Sequence, residues 1–435
     1  METTLRTERV NPERELLLAF DVSKARLNYR SDVPQSAGAD GLRVVESVQG
    51  EVANRSRAVE GVLRAMTERA ARAGYAGVHV LCEPSGGYEK QLLSLARHIG
   101  CRTSYVNGES VHKAKVIDHN DRGKSDQIDT GVMLTLAGMG KVQTHRVLPP
   151  LYQQLRLLGR FYSGADRKVK ALKDELQFGI ARLFVDFSGK AASVYSKWGR
   201  AVMEAYGYNP YRMVAGGYRR FYSQVRRHAP RLVEATARAL WEDAVSASHH
   251  VQSQEEVELW EKHVRDCWRQ YLYQEQRRAE LREQMSAIYL RLLEQRELLP
   301  RPDKGYLSVF RLARIVGETG PLSDFSNPQA ILKYAGLNLC ENQSGIHKGQ
   351  VTISHKGNSQ LRNALGEAAF CLVRRRACYG AYYHRKKEQD NLSSGKAMTA
   401  VMRKMLVAVW TLGVKQLTFD LQRLTTSLSQ YRQVA

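Results

Sequence analysis

Four carboxylates are spaced along the first third of the chain in a way that suits phosphodiester chemistry. Asp21 closes the apolar run 16–20, and Glu83 closes the run 78–82. A short, continuously apolar run is what a buried strand requires. Asp126 and Asp129 lie three apart, so on a helix they share one face about one turn apart. Strand ends and one helix face can converge on a pocket although the residues are far apart in sequence. Such a set of oxygen donors is a hard-ligand site for one or two Mg²⁺ ions, held partly by substrate phosphates. Ions in that position would activate an attacking oxygen and stabilise the leaving one. Each acid also has a plainer role, because carboxylates often cap turns and occupy the first turns of helices. Asp118 and Asp121 compete for the helical positions and read as solvated loop residues.

The elements that would position these acids follow from the patterning. Strand-like and helix-like segments alternate from residue 16 to about 140: strands at 16–20, 42–48, 78–82 and 101–106, helices at 58–73, 88–98 and 125–136. This argues for an α/β layer. Pro149-Pro150 then punctuates the chain. Beyond it, Leu151, Leu155, Leu158, Tyr162, Ala165, Val169, Leu172 and Leu176 alternate spacings of four and three. A second seam runs through Val257, Trp260, Val264, Cys267, Tyr271, Gln274, Arg278, Leu281, Met285, Ile288 and Leu292. Such seams predict a coiled-coil hairpin arm, suited to dimerisation. Between them, 206–228 interleaves Tyr with Arg, including Arg219 and Arg220. That mixture suits phosphate contact plus base stacking, or equally aromatics packing the tip beneath solvated arginines. After Pro300 the pattern is mostly helical, interrupted by a Gly/Ser/His/Lys-rich loop at 342–358.

The charge narrows the partner class. The 435 residues carry 66 Lys+Arg against 44 Asp+Glu, a formal net charge of +22. By thirds the surplus is +3 over 1–150, +7 over 151–300 and +12 over 301–435. A chain this basic needs a polyanion or an acidic membrane surface. No apolar run of about 18 residues stands out, and residues 1–15 are polar and mixed in charge, which predicts neither a membrane span nor a secretory signal. Six scattered cysteines without a C-x-x-C pair predict reduced thiols in a cytoplasmic protein. Nucleic acid is therefore the expected partner.

The last third contains Y-A-G-L (334–337), Q-S-G (343–345) and I-S-H-K-G-N-S-Q-L-R (353–362). Taken in order with F-D-V-S-K, L-C-E-P-S-G-G-Y and G-K-S-D-Q-I-D, these motifs resemble the DEDD-type insertion-sequence transposases. Those are relatives of the pilin-gene invertase, and some are guided by a structured bridge RNA. The likeness covers roughly 16–140 and 300–415. It implies an α/β plus α chain: an RNase H-like (RuvC-like) domain over 1–145, a coiled-coil arm over 146–299 with its tip at about 184–230, and a helical transposase domain over 300–435. It further implies that Asp21, Glu83, Asp126 and Asp129 bind Mg²⁺ and that Ser344 is a nucleophile forming a phosphoserine link to DNA. The active site would be shared between protomers of a dimer or tetramer acting on element ends and target DNA in a bacterial, nucleoid-associated setting.

Basic residues near the loop are candidates for gripping nucleic acid: Lys304, His347, Lys348, His355, Lys356 and Arg362. Ser354 and Ser359 are weaker nucleophile candidates, better suited to loop and cap roles. One departure stands out. Where relatives carry Pro-Gly-Ile-Gly before a helix, this chain has Pro302-Asp303-Lys304-Gly305, which sets backbone-amide phosphate binding there against an inserted acid. Two alternatives stay open: a resolvase-like nuclease that uses water, and a non-enzymatic nucleic-acid scaffold.

Overall fold

The computed structural model describes residues 5–8, 14–37, 43–119, 126–189, 191–250, 252–340, 343–344, 347–348 and 351–420. They form two compact units, Met1–Val147 and Leu148–Ala435.

The first unit is built on a mixed sheet. Its elements in order are β1 (Leu5–Glu8), β2 (Leu16–Val22), β3 (Arg26–Ala37), β4 (Arg43–Ala53), α1 (Ser56–Arg72), β5 (Val78–Cys82), α2 (Lys90–His98), β6 (Arg102–Tyr105), α3 (Gly108–His119), α4 (Asp126–Gly138) and β7 (Gln143–Thr144). The strand order is β1-β4-β3-β2-β5-β6-β7. Strands β2, β3 and β4 form an antiparallel meander, and β5 and β6 run parallel to β2. Alternation along the strands sends Leu16, Leu18 and Phe20 to one face, where they pack with Val59, Leu63, Leu92 and Leu93. Ala19 and Leu81 go to the other face, against Val111, Val132 and Met133 of α3 and α4. Both faces are thus covered, as an α/β layer requires.

In the second unit α5 (Pro150–Leu183) leads into α6 (Lys197–Tyr206), α7 (Pro210–Val214), α8 (Gly217–His228) and α9 (Glu234–Ser248), and α10 (Gln254–Glu294) returns. Helices α5 and α10 lie antiparallel. Gly159 faces Met285, Asp166 pairs with Arg278, and Gly179 faces Val264. Most of the expected seam residues are buried between them. The strict heptad is not kept, however. Trp260, Gln274 and Ile288 are only partly buried, whereas Glu261, Trp268 and Tyr289 are fully so. The reason is that other helices pack around the pair at both ends, so the buried stripe is the broad face of a globular helix and not a narrow coiled-coil seam.

One core joins the distal halves of α5 and α10 to α6–α9, through Val202, Met203, Phe221, Leu240, Val264 and Trp268. The other joins the proximal halves to α11 (Val309–Thr319), α12 (Pro328–Ala335), α13 (Ser359–Leu372), α14 (Gly380–Glu388) and α15 (Ser394–Val414). Helix α15 is long and apolar enough to cross a membrane by length and composition, with a mean hydropathy of 1.4. The sequence pattern had suggested no such run. Its Val401, Met405, Leu406, Val409 and Trp410 join the proximal core, and burial there accounts for the composition.

Candidate active site

Strand register brings two of the carboxylates together. Phe20 pairs with Cys82 across the parallel β2–β5 ladder, so the next residues, Asp21 and Glu83, stand side by side about 4.8 Å apart in the sheet. Alternation puts both on the face covered by α3 and α4. Asp129 reaches the same place from the second turn of α4. Its proximity is felt electrostatically: burial, then the charges of Asp129 and Asp21, push the Glu83 carboxyl above the usual glutamate range, and Lys115 partly offsets them. Asp126 opens α4 one turn earlier, and its side chain lies outside the described residues.

Two neighbours of this cluster escaped the sequence reading. Lys115 of α3 forms an ion pair with Asp129, with both side chains about one-fifth exposed. Gly108 at the start of α3 is the floor under Glu83, since a Cβ there would lie 2.8 Å from Glu83 Oε2. A third, Glu89, shapes the turn after Glu83: its Oε2 accepts from the Ser85 amide and hydroxyl and from the Gly87 amide, at 2.8–3.2 Å. Burial pushes the Glu89 carboxyl up, but these hydrogen bonds bring it below its ordinary value. A small signal for Lys115 existed in V-H-K-A-K-V, but α3 has little amphipathic contrast to reveal which lysine faces inward.

Oxygen donors with Asp129 Oδ1 shut off from solvent, and a glycine where a side chain would displace Glu83, fit a hard divalent cation. Among the described residues, Lys115 is a counter-ion to Asp129. A cavity of about 880 Å³ lies at the opposite strand ends of the same face, lined by Arg14, Arg30, His79 and Arg102 among others. Its lining does not include Asp21, Glu83 or Asp129.

In the second unit the serine segment is carried on paired short strands. β8 (Leu339–Cys340) pairs with β11 (Thr352–Ile353), and β9 (Gln343–Ser344) pairs with β10 (His347–Lys348). Ser344 is opposite His347, and Gln343 opposite Lys348. The side chains of 343, 344, 347 and 348 lie outside the described residues. The base of this ribbon explains the flanking motifs. Gly336, the left-handed end of α12 (φ +68°), and Gly357 press backbone to backbone, and a Cβ on Gly357 would lie 2.3 Å from the Gly336 amide. The His355 amide donates to Gly336 O, and the Asn358 amide to Tyr334 O. Asn358 also caps α13 and donates to buried Glu318 of α11 at 2.8 Å.

The expected grips divide accordingly. Arg362 is half-buried and donates to Ala335 O at 2.9 Å, so it braces the scaffold. Ser354 is likewise bonded to Asn338, and Ser359 is exposed at the start of α13. His355 and Lys356 are exposed, as is Lys304. Beside Lys304, the Asp303 carboxylate accepts from the Gly305 amide at 2.7 Å. The inserted acid thereby occupies a backbone donor that a phosphate would otherwise use. At the tip, Tyr206, Tyr208 and Phe221 are buried, and Tyr218 stacks on Tyr222 at 5.8 Å. The rings pack the tip core, while Arg219, Arg220, Arg226 and Arg227 face solvent along α8.

A cluster of carboxylates at adjacent strand ends, suited to a hard cation, is an arrangement that phosphoryl-transfer chemistry can use. Comparison with known families makes this particular. Residues 42–184 match the IS110-type DEDD model described as Transposase, and residues 308–384 match the Transposase IS116/IS110/IS902 family. The chain therefore carries transposase domains of this family, which support a DNA transposase, an enzyme of DNA cleavage and rejoining. The first match begins after Asp21, so the place of that residue rests on strand register. No curated protein matches the chain. Among solved structures, RuvC of Thermus thermophilus is similar at 13% identity with a TM-score of 0.20, over 30% of this chain and 99% of that one. A likeness of that depth identifies neither site nor activity.

Proposed function

We propose that the protein is a transposase whose RNase H-like first unit binds Mg²⁺ through Asp21, Glu83, Asp126 and Asp129, and whose Ser344 attacks DNA. The observation that carries this is the side-by-side register of Asp21 and Glu83 with Asp129 over them. Bound Mg²⁺ would supply charge neutralisation at the scissile phosphate and a more acidic attacking hydroxyl. Lys115 pairs with Asp129 and orients it. Ser344 Oγ loses its proton to a base and forms a P–O bond. The displaced deoxyribose oxygen leaves and is protonated, and the phosphoserine link conserves the bond for rejoining. His355, Lys356 and Lys304 hold backbone phosphates, and a bridge RNA selects the DNA. In the assembly the acidic unit of one protomer works with the serine ribbon of another.

A second reading has its own support: the acidic cluster assembles within 1–147 alone, as a water-using resolvase would require. One denaturing-gel experiment with element ends, target DNA, Mg²⁺ and cognate RNA separates the two. Wild type should give recombinant strands and a protein–DNA adduct. Ser344→Ala should lose both, and Glu83→Gln should reduce cleavage at least about a hundredfold. Mixing the two inactive variants should restore part of the activity through mixed assemblies. Cleavage unchanged in Ser344→Ala would leave the water mechanism standing, and equal recombination after RNase treatment would remove the RNA guide.

A further inference from the structure

Among the described residues, one trio of metal-ligating side chains lies outside the acidic cluster, on the α5–α10 pair. His263 and Cys267 are four apart on α10, so they project from one face of the helix, and Glu175 meets them from α5. Cys267 Sγ is 3.6 Å from His263 Nε2, and His263 Nε2 is 3.8 Å from Glu175 Oε1. All three ligand atoms lie within 4.8 Å of one another. Cys267 is buried, while His263 and Glu175 are open to solvent on one side, which leaves an entry path. Gly179, one turn beyond Glu175, makes room for the imidazole: a Cβ there would lie 3.2 Å from His263 Cδ2. The Trp260 ring fixes the other side, edge-on at 5.7 Å.

We propose that Glu175, His263 and Cys267 bind a zinc-class divalent ion that ties α5 to α10 at the base of the arm tip. Two of the three spacings are close to those of a tetrahedral site, and the third, between the sulfur and the carboxylate, is at most 4.8 Å. With ordinary Zn–S and Zn–N bond lengths, a tetrahedral centre separates its sulfur and nitrogen by about 3.6 Å, and its nitrogen and carboxylate oxygen by about 3.4 Å. The first distance is already met, and the second needs a closure of a few tenths of an ångström. A sulfur, an imidazole and one carboxylate select zinc or cobalt over magnesium, which prefers all-oxygen shells. Binding replaces the thiol proton with an S–metal bond and releases that proton to solvent. Solvent completes the fourth position. Because Val264 and Cys267 belong to the tip core, the ion would pin the tip to the long helices.

The test uses the full chain, stripped with chelator and titrated with Co²⁺, whose thiolate charge-transfer and tetrahedral d–d bands report ligands directly. One Co²⁺ per chain with a thiolate band, displaced by Zn²⁺ and lost in Cys267→Ser, is expected. Should Cys267→Ser fold poorly, the more exposed Glu175→Gln and His263→Gln serve instead, each weakening binding at least about tenfold. The zinc-loaded chain should also melt higher than the stripped one. Absence of a thiolate–cobalt band, or a band of full strength in these variants, overturns the site.

Discussion

Lys404 shows how one residue can carry a testable consequence of the charge surplus. It is half-buried on α15, 5.3 Å from the Tyr382 ring, with Arg385 and Lys386 of α14 at 5.4 and 5.8 Å from the same ring. Burial, then the charges of Arg385 and Lys386, bring its ammonium down to about 8. Asp390 pairs with Lys386, and a DNA phosphate is the further anion that the transposase reading supplies. The unfolded chain keeps this proton to about pH 10.4. Between those values it binds more protons than the folded chain, so stability should rise with pH while DNA affinity falls. Fluorescence anisotropy at pH 7 and 9 should show the salt slope losing about one phosphate contact, and Lys404→Met should abolish that difference and raise the melting temperature. A pH response unchanged in Lys404→Met would assign it elsewhere. Composition alone could not single out Lys404, because its environment comes from two helices brought together by folding. By contrast Asp21 and Glu83 were legible, since each ends an apolar strand and parallel pairing does the rest.

At the level of elements, the long apolar repeats foretold α5 and α10, but not what encloses them. Periodicity reports which side of a helix is apolar and not whether the cover is a twin helix or a globular core. Strand β3 and helix α3 are hard to read for a related reason: their few buried residues, Leu27, Ser31 and Val33 in β3 and Val111 in α3, stand among polar ones, so neither looks like a core element. Arg278, a polar position of the expected seam, ties α10 to α5. Its guanidinium donates to Asp166 at 2.6 Å and to Glu275 at 2.9 Å. Burial pushes the Asp166 carboxyl up, yet the hydrogen bonds from Lys170 and Arg278 bring it below the usual aspartate range. The stability this confers is present above the unfolded-state value and is lost as pH falls through the lowered one. Arg278→Met leaves Asp166 with Lys170 alone and should cost about 1–3 kcal/mol at neutral pH. Chemical denaturation across pH should also show a smaller loss of stability on acidification than in wild type, because the folded and unfolded values of Asp166 then lie closer together. The double variant Asp166→Leu/Arg278→Leu should recover much of the loss, because an apolar pair can replace a buried ionic one. A double variant as unstable as the sum of the two single ones would mean that the two residues act separately.

Over the whole molecule, positive charge increases toward the C-terminus, and the structure assigns parts of it to different duties. The first third is nearly balanced, as the proposed cation site would require before a phosphate can approach. Arg362, Arg314 and Arg156 face inward and brace the scaffold beneath the serine ribbon: Arg156 donates to Gly317 O and Glu318 O, and Arg314 pairs with Glu367. The arginines of α8 brace nothing comparable, for their ring neighbours pack the tip while they remain exposed. Residues 185–307 lie outside both family matches, and the exposed arginines of α8 fall among them. Replacing Arg219, Arg220, Arg226 and Arg227 by Ser should therefore leave the melting temperature within about 2 °C, as exposed substitutions do. It should lower the salt slope of nucleic-acid binding by up to about three. Filter binding with single-stranded RNA, duplex DNA and element-end DNA shows which ligand loses most. Unchanged affinity for all three would make the tip a structural cap on the arm, and would leave the C-terminal surplus alone to hold the substrate.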